Sequence, residues 1–201
     1  MRIQIKRALI AAAVAAAMGL PLSSQASDGT ITFTGAVTAN TCTVSVNSGG
    51  ANATVALPTV STSALDNTSA KTTAAGTFFS MGVSSCTATP VSDFGGSAPT
   101  TVAIYFEAGP NVDEVTGGLI NTAASGSNVE VNLYNASAAS VVGTQIKPGT
   151  QTHQPSAQTM ASGGTQWFYA GYSTAGTNGL TGAAATAGAV NTSITYSLVY
   201  Q

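Results

Sequence analysis

Few of the 201 residues carry side chains able to do chemistry: one histidine, two cysteines, seven acids and five basic groups. A zinc site of His and Cys ligands would use up the whole supply of both. Gly171-Tyr172-Ser173-Thr174-Ala175 faintly resembles a nucleophile elbow, which needs an acid and then a histidine after the serine. No Asp or Glu follows Glu130, and His153 precedes Ser173, so the order fails. A triad on another fold would have to use His153, a loop histidine beside Gln154-Pro155 that reads as solvated. Asp113 and Glu114 are adjacent acids, and adjacent strand residues point to opposite faces. They read as an exposed turn after Gly109-Pro110, and the sequence identifies no further oxygen ligands for calcium. No catalytic residue, metal site or cofactor is expected.

The elements that would hold such groups are equally short of charge. Asp, Glu, Lys and Arg make up 6% of the chain, where an average soluble domain has about 25%. No basic patch can form to neutralise phosphates, so nucleic acid is not a partner. Three of the five basic residues, Arg2, Lys6 and Arg7, open the sequence. An alanine-rich apolar run over residues 8–20 follows, and then Ser24-Gln25-Ala26 supplies small residues for cleavage. This is the plan of a secretory signal peptide over residues 1–26. A transmembrane helix would need about 18 apolar residues, and Pro21 stops this run too early. The remaining 175 residues hold two lysines, Lys71 and Lys147, against seven acids, a net charge of −5. Export also bears on Cys42 and Cys86, which lie 44 residues apart. In an oxidising compartment one disulfide is the default, a free thiol pair the alternative, and a catalytic CxxC is excluded by spacing.

Period-two patterns dominate the exported part. Ile31, Phe33 and Val37 alternate with polar or small residues; so do Val44 and Val46, then Val102, Ile104 and Phe106, then Val129, Val131 and Leu133. At the end Val190, Ile194, Tyr196, Leu198 and Tyr200 take even positions, with Asn191, Ser193, Thr195 and Ser197 between. Such runs are strands with one buried face and one wet face. Glycine-rich turns separate them, among them Asn47-Ser48-Gly49-Gly50, Gly117-Gly118 and Pro148-Gly149. No apolar stripe at helical spacing follows Ala26, and the alanine-rich residues 181–188 read as loop because glycines bracket them. The expectation is an all-β sandwich of two packed antiparallel sheets.

The two ends then carry a joint pattern. Gly29-Thr30-Ile31-Thr32-Phe33-Thr34-Gly35-Ala36-Val37 leads into Asn40-Thr41-Cys42-Thr43-Val44. Gly188 stands fourteenth from the end, and the penultimate Tyr200 closes the alternating strand. Val55-Ala56-Leu57-Pro58, residues 79–86 and Phe168-Tyr169-Ala170-Gly171-Tyr172 fit between them. Over nearly the whole exported chain this resembles the pilin subunits of chaperone–usher fimbriae, in particular the type 1 fimbrial major subunit family.

The resemblance implies an incomplete immunoglobulin-like β-sandwich, residues 39–201, that lacks its final strand. It implies as partners a periplasmic pilus chaperone that lends a strand, an outer-membrane usher, and head-to-tail copies of the chain or related pilins. Residues 27–38 would be the donor-strand extension that fills the next subunit's groove, a strand-addition contact. The extension precedes Cys42, so it lies outside the cysteine-bounded loop, and it would present Gly29, Ile31, Phe33, Gly35 and Val37. Gly35 would let the donor backbone approach a shallow part of the groove. Gly188, Val190, Thr192, Ile194, Tyr196, Leu198 and Tyr200 are the implied acceptor groove and chaperone contact.

Two departures stand out. Only Ser27 and Asp28 precede Gly29 in the extension, and Gly171 stands where relatives often carry arginine. Residues 31–37 could instead be an ordinary first strand paired within its own sheet. A minor adaptor or tip-proximal pilin is the alternative within the pathway. A small outer-membrane β-barrel is the alternative from another class, although thirteen aromatic residues supply aromatic girdles poorly. A sugar-binding tip adhesin needs a further lectin domain, for which the length leaves no room; Trp167 reads as core.

Overall fold

The computed structural model describes residue 32 and residues 41–65, 76–87, 100–150, 158–159, 163–174 and 184–201. The chain divides into two compact units, Met1–Gly35 and Ala36–Gln201. All the strands described below belong to the second. The signal segment, residues 1–26, and the expected donor residues Gly29, Ile31, Phe33, Gly35 and Val37 lie outside the described residues, as do Lys71 and His153.

Among the described residues, eight strands carry the second unit: β1 (Thr41–Val46), β2 (Gly76–Thr87), β3 (Thr101–Phe106), β4 (Glu130–Ala138), β5 (Val141–Ile146), β6 (Gln158–Thr159), β7 (Gly164–Ser173) and β8 (Tyr196–Tyr200). One sheet runs β1-β2-β7-β4-β5 and the other β6-β3-β8, with every strand pair antiparallel. The expected all-β sandwich is therefore present. Both sheets are open, ending at β1 and β5 and at β6 and β8, whereas a membrane barrel is one closed ring.

The period-two reading explains the core. Phe79, Met81 and Val83 of β2, Val131 and Leu133 of β4 and Phe168 and Ala170 of β7 face inward from the larger sheet. Val102, Ile104 and Phe106 of β3 meet them from the smaller one. Phe79 and Phe168 are direct cross-strand partners and stack at 5.3 Å. Phe106 closes on Phe168 edge-on at 5.4 Å and joins the two sheets. Each of these side chains contributes roughly 1.5–3 kcal/mol by leaving water.

Cys42 and Cys86 are bonded and staple β1 to β2. The ladder slips beside them, between Thr41 and Thr43, and Ser85 takes a φ of 49°. A bulge of this kind lets two residues oppose one.

Several features differ from the reading of the sequence: Trp167, read as core, is only half-buried and lies outside the core clusters, and Asp113, read as part of an exposed turn, is buried. A four-residue helix, α1 (Thr62–Leu65), buries Leu65; it is too short to leave a periodic stripe. In β4 residues 130–134 are all buried, so Glu130 and Asn132, on the supposedly wet face, are covered. The closing run pairs as a regular strand only over Tyr196–Tyr200, not from Val190.

Candidate functional site: a groove beside an open strand edge

The closing run keeps its alternation beyond its ladder. Val190, Thr192 and Ile194 are half-buried, and Asn191, Ser193 and Thr195 between them are exposed. Val190, Ile194, Tyr196, Leu198 and Tyr200 all pack against the core from its margin. Gly188 is exposed, and a Cβ there would press on the backbone of residues 125–127.

Residues 189–195 are held from one side only. The Ala189 carbonyl accepts from Ser127 N–H at 3.1 Å, the Asn191 carbonyl from Thr122 N–H at 2.8 Å, and the Thr195 carbonyl from Glu107 N–H at 3.0 Å. Gln201 and Thr101 exchange both backbone bonds, at 2.8 and 3.0 Å. Odd-numbered residues therefore point their backbone groups toward β3 and the loop that follows it. In an antiparallel ladder the alternate pairs are non-bonded, so Tyr196, Leu198 and Tyr200 turn their N–H and C=O groups the other way. Val190, Thr192 and Ile194 share that parity, and their backbones meet no partner among the described residues. Residues 190–200 thus present a continuous open edge of about 33 Å at about 3.3 Å per residue.

Two asparagines hold this edge and a third holds the run before it, and nothing in the sequence marked them out from ordinary turn formers. Asn121 is the main one. Its Nδ2 donates to the carbonyls of Ser127 and Ala189, both at 2.8 Å. Its Oδ1 accepts from Ala123 N–H at 3.1 Å and Asn191 N–H at 2.9 Å. Asn111 Nδ2 donates to Ser193 Oγ at 3.0 Å, and Asn128 donates to the Ala184 carbonyl and exchanges bonds with Thr186.

Beside the open edge lies a groove of about 580 Å³. Its floor is core: Phe79, Met81, Phe106, Leu119, Val131, Leu133 and Ala170. One wall is residues 190–194 with Tyr196, and the other is Val46 with residues 51–57. Two tyrosines fasten that second wall. Tyr196 Oη donates to the Ala51 carbonyl at 2.7 Å, and Tyr172 Oη to the Pro58 carbonyl at 3.1 Å. Burial pushes both hydroxyls above the usual phenol value, which keeps them as donors. Thr192 Oγ1 is shielded from water and has no hydrogen-bond partner. The volume alone would suit a small molecule as well as a strand, because ligand pockets span about 300–1,000 Å³. Those pockets converge a few polar side chains on the ligand, whereas here Thr192 Oγ1 stands beside a row of unpaired backbone N–H and C=O groups.

The remaining candidates are dispersed. Asp113 is buried and Glu114 exposed, and the described residues hold no cluster of three or more His, Cys, Asp or Glu. Ser173 is buried in β7, opposite Glu130. Gly171 has a packing reason: a Cβ there would lie 2.6 Å from the Tyr169 ring. In this chain the tyrosine two residues earlier fills that space.

The model of the type-1 fimbrial protein, A family matches residues 57–201. The major fimbrial subunit SMF-1 of Stenotrophomonas maltophilia is 35% identical over 90% of this chain and 96% of its own length. The F17 fimbrial protein of Escherichia coli is 36% identical over 87% of this chain and 88% of its own. The fimbrial protein FimX of Bordetella pertussis is 39% identical over 55% and 48%. With the open-edged sandwich, these similarities establish that the chain belongs to the type-1 fimbrial protein family.

Proposed function

We propose that this chain is a structural subunit of an adhesive surface fimbria and that its copies join by donor-strand exchange. On this reading it is exported through the periplasm and catalyses nothing. A periplasmic chaperone first lends a strand to the edge at residues 190–200. At an outer-membrane usher, residues 27–38 of another copy or a related pilin then replace it.

The observation that carries the proposal is the open edge running along an apolar groove whose floor is the protein core. An unpaired edge of this kind is a template for another strand. Residues 29–37 would extend about 27 Å, within the length of that edge. Their alternation would place Ile31, Phe33 and Val37 on the groove floor, each contributing roughly 1.5–3 kcal/mol, less the ordering cost of association. Gly35 would sit between two of these anchors, where any side chain would press on the floor. A contact in which one surface of a copy meets a different surface of the next does not close, so the product is a fibre.

Replacing Gly35 with Trp tests this directly. The variant is expected to accumulate as a chaperone-bound subunit while surface fibres, counted by electron microscopy after shearing, disappear. Fibres in normal number would refute the donor role.

A further inference from the structure

Away from the groove, the turn of residues 113–118 folds over β4 and buries a group of polar side chains. Glu130 is 1% exposed, Asn132 4% and Asp113 8%. Thr116 Oγ1 donates to Glu130 Oε2 at 2.9 Å and accepts from Gly118 N–H at 3.1 Å. Asp113 Oδ1 accepts the N–H groups of Val115 and Thr116 at 2.8 and 3.2 Å. Two acceptors are left over: Glu130 Oε1 and Asn132 Oδ1 are buried without a donor.

Thr116 ties the two carboxyls together, its N–H on Asp113 Oδ1 and its hydroxyl on Glu130 Oε2, and two carboxylates buried side by side repel unless a proton lies between them. The site is also tight. A Cβ on Gly118 would touch Glu130 Oε2 and lie 2.7 Å from Asn132 Oδ1. Calcium would need six to eight oxygens converging at 2.3–2.6 Å, whereas Asp113 Oδ1 and Thr116 Oγ1 are already turned to backbone N–H groups. A proton needs only the two carboxyls.

We propose that Asp113 and Glu130 hold one proton between them in mildly acidic solution, carried on Glu130 Oε1 and donated to Asp113, and that it fastens the 111–122 segment to β4. That segment carries Asn111 and Asn121, which hold the open edge. The shared proton is therefore a latch behind the groove, tightened by acid. It rests on the fold alone and stands whether or not a donor strand fills the groove.

Burial, the largest cause, pushes the Glu130 carboxyl up to about 7 from 4.5; the Thr116 hydroxyl opposes the rise, and the charge and hydrogen bond of Asp113 add to it. Of the charged groups on neighbouring elements, Glu114 is exposed in the same turn. Lys147, beyond β5, lays its methylenes against Gly117. Neither is among the causes of the shift. β7 presents the neutral Ser173 opposite Glu130, and Tyr134 stands two positions past Asn132 on the same face of β4. Because the folded value lies above the unfolded one, folding takes up a proton. The stabilisation is complete below about pH 4.5 and is lost as pH rises through about 7.

The test is guanidinium unfolding of the purified full chain from pH 5 to 8, beside Glu130→Gln. Relative to the variant, the wild-type folding constant is expected to fall up to about tenfold per pH unit between pH 5 and 6.5. Infrared difference spectra should show a protonated-carboxyl band at pH 6 that is lost near pH 8. In Asp113→Asn the band should disappear at lower pH, and this spectroscopic reading decides the matter even if Glu130→Gln does not fold. Parallel pH profiles, or no such band, would overturn the proposal. So would stabilisation by added calcium at pH 7.5 in wild type but not in Glu130→Gln, which would make the cluster a metal site.

Discussion

Asn121 makes four hydrogen bonds behind the open edge, two of them to the closing run. It serves the carbonyls of Ser127 and Ala189 and the N–H groups of Ala123 and Asn191. Alanine at this position would leave those backbone groups without their partner, at a cost of roughly 1–3 kcal/mol for a buried group. Asn121→Ala should therefore lower the unfolding midpoint in guanidinium and speed exchange of the Asn191 amide hydrogen. An unchanged amide would show that water replaces the side chain. The sequence had no way to single this residue out, since asparagine in a polar stretch is the ordinary turn former. Gly171 was different: its departure from relatives was visible, but its reason, the Tyr169 ring over the missing Cβ, needed the packed sheet.

Among the elements, alternation identified which face of each strand is buried. Val102, Ile104 and Phe106 are core as expected, and so are Val131 and Leu133. Period two reports the side chains' environment but not what lies beside the backbone. Residues 190–195 show why: their even positions face inward as read, yet they are held by asparagines and a loop rather than by a regular ladder. The same limit hid Glu130 and Asn132, because the turn that covers them is distant in sequence.

Cys42–Cys86 was legible from export and count, and it ties β1, one margin of the larger sheet, to β2. In the chain-entropy model a loop of 44 residues is worth about 4 kcal/mol, a large share of a domain's net stability. Cys42→Ser is accordingly expected to reduce the soluble subunit recovered from the periplasm several-fold. Undiminished recovery would mean that the β1–β2 ladder suffices without the bond.

At the scale of the whole molecule, poverty of charge and an apolar groove belong together. A lone chain with a core-lined groove beside a free strand edge would be expected to aggregate. On the proposed reading, a fibre would cover the same surfaces with the neighbouring copies. The sandwich and the closing strand's inward face were readable because both follow from local alternation. The groove was implied by the family resemblance alone, through its closing-strand wall; its floor was not legible, because it gathers Phe79, Phe106, Val131 and Ala170 from strands far apart in the chain.

The most direct measurement is the structure of the assembled fibre by electron cryo-microscopy, at a resolution that shows side chains. Donor-strand exchange predicts residues 29–37 of one copy along residues 190–200 of the next, hydrogen-bonded to that edge, with Ile31, Phe33 and Val37 on the groove floor. Residues 29–37 paired within their own copy, or a groove filled by any other segment, would contradict it.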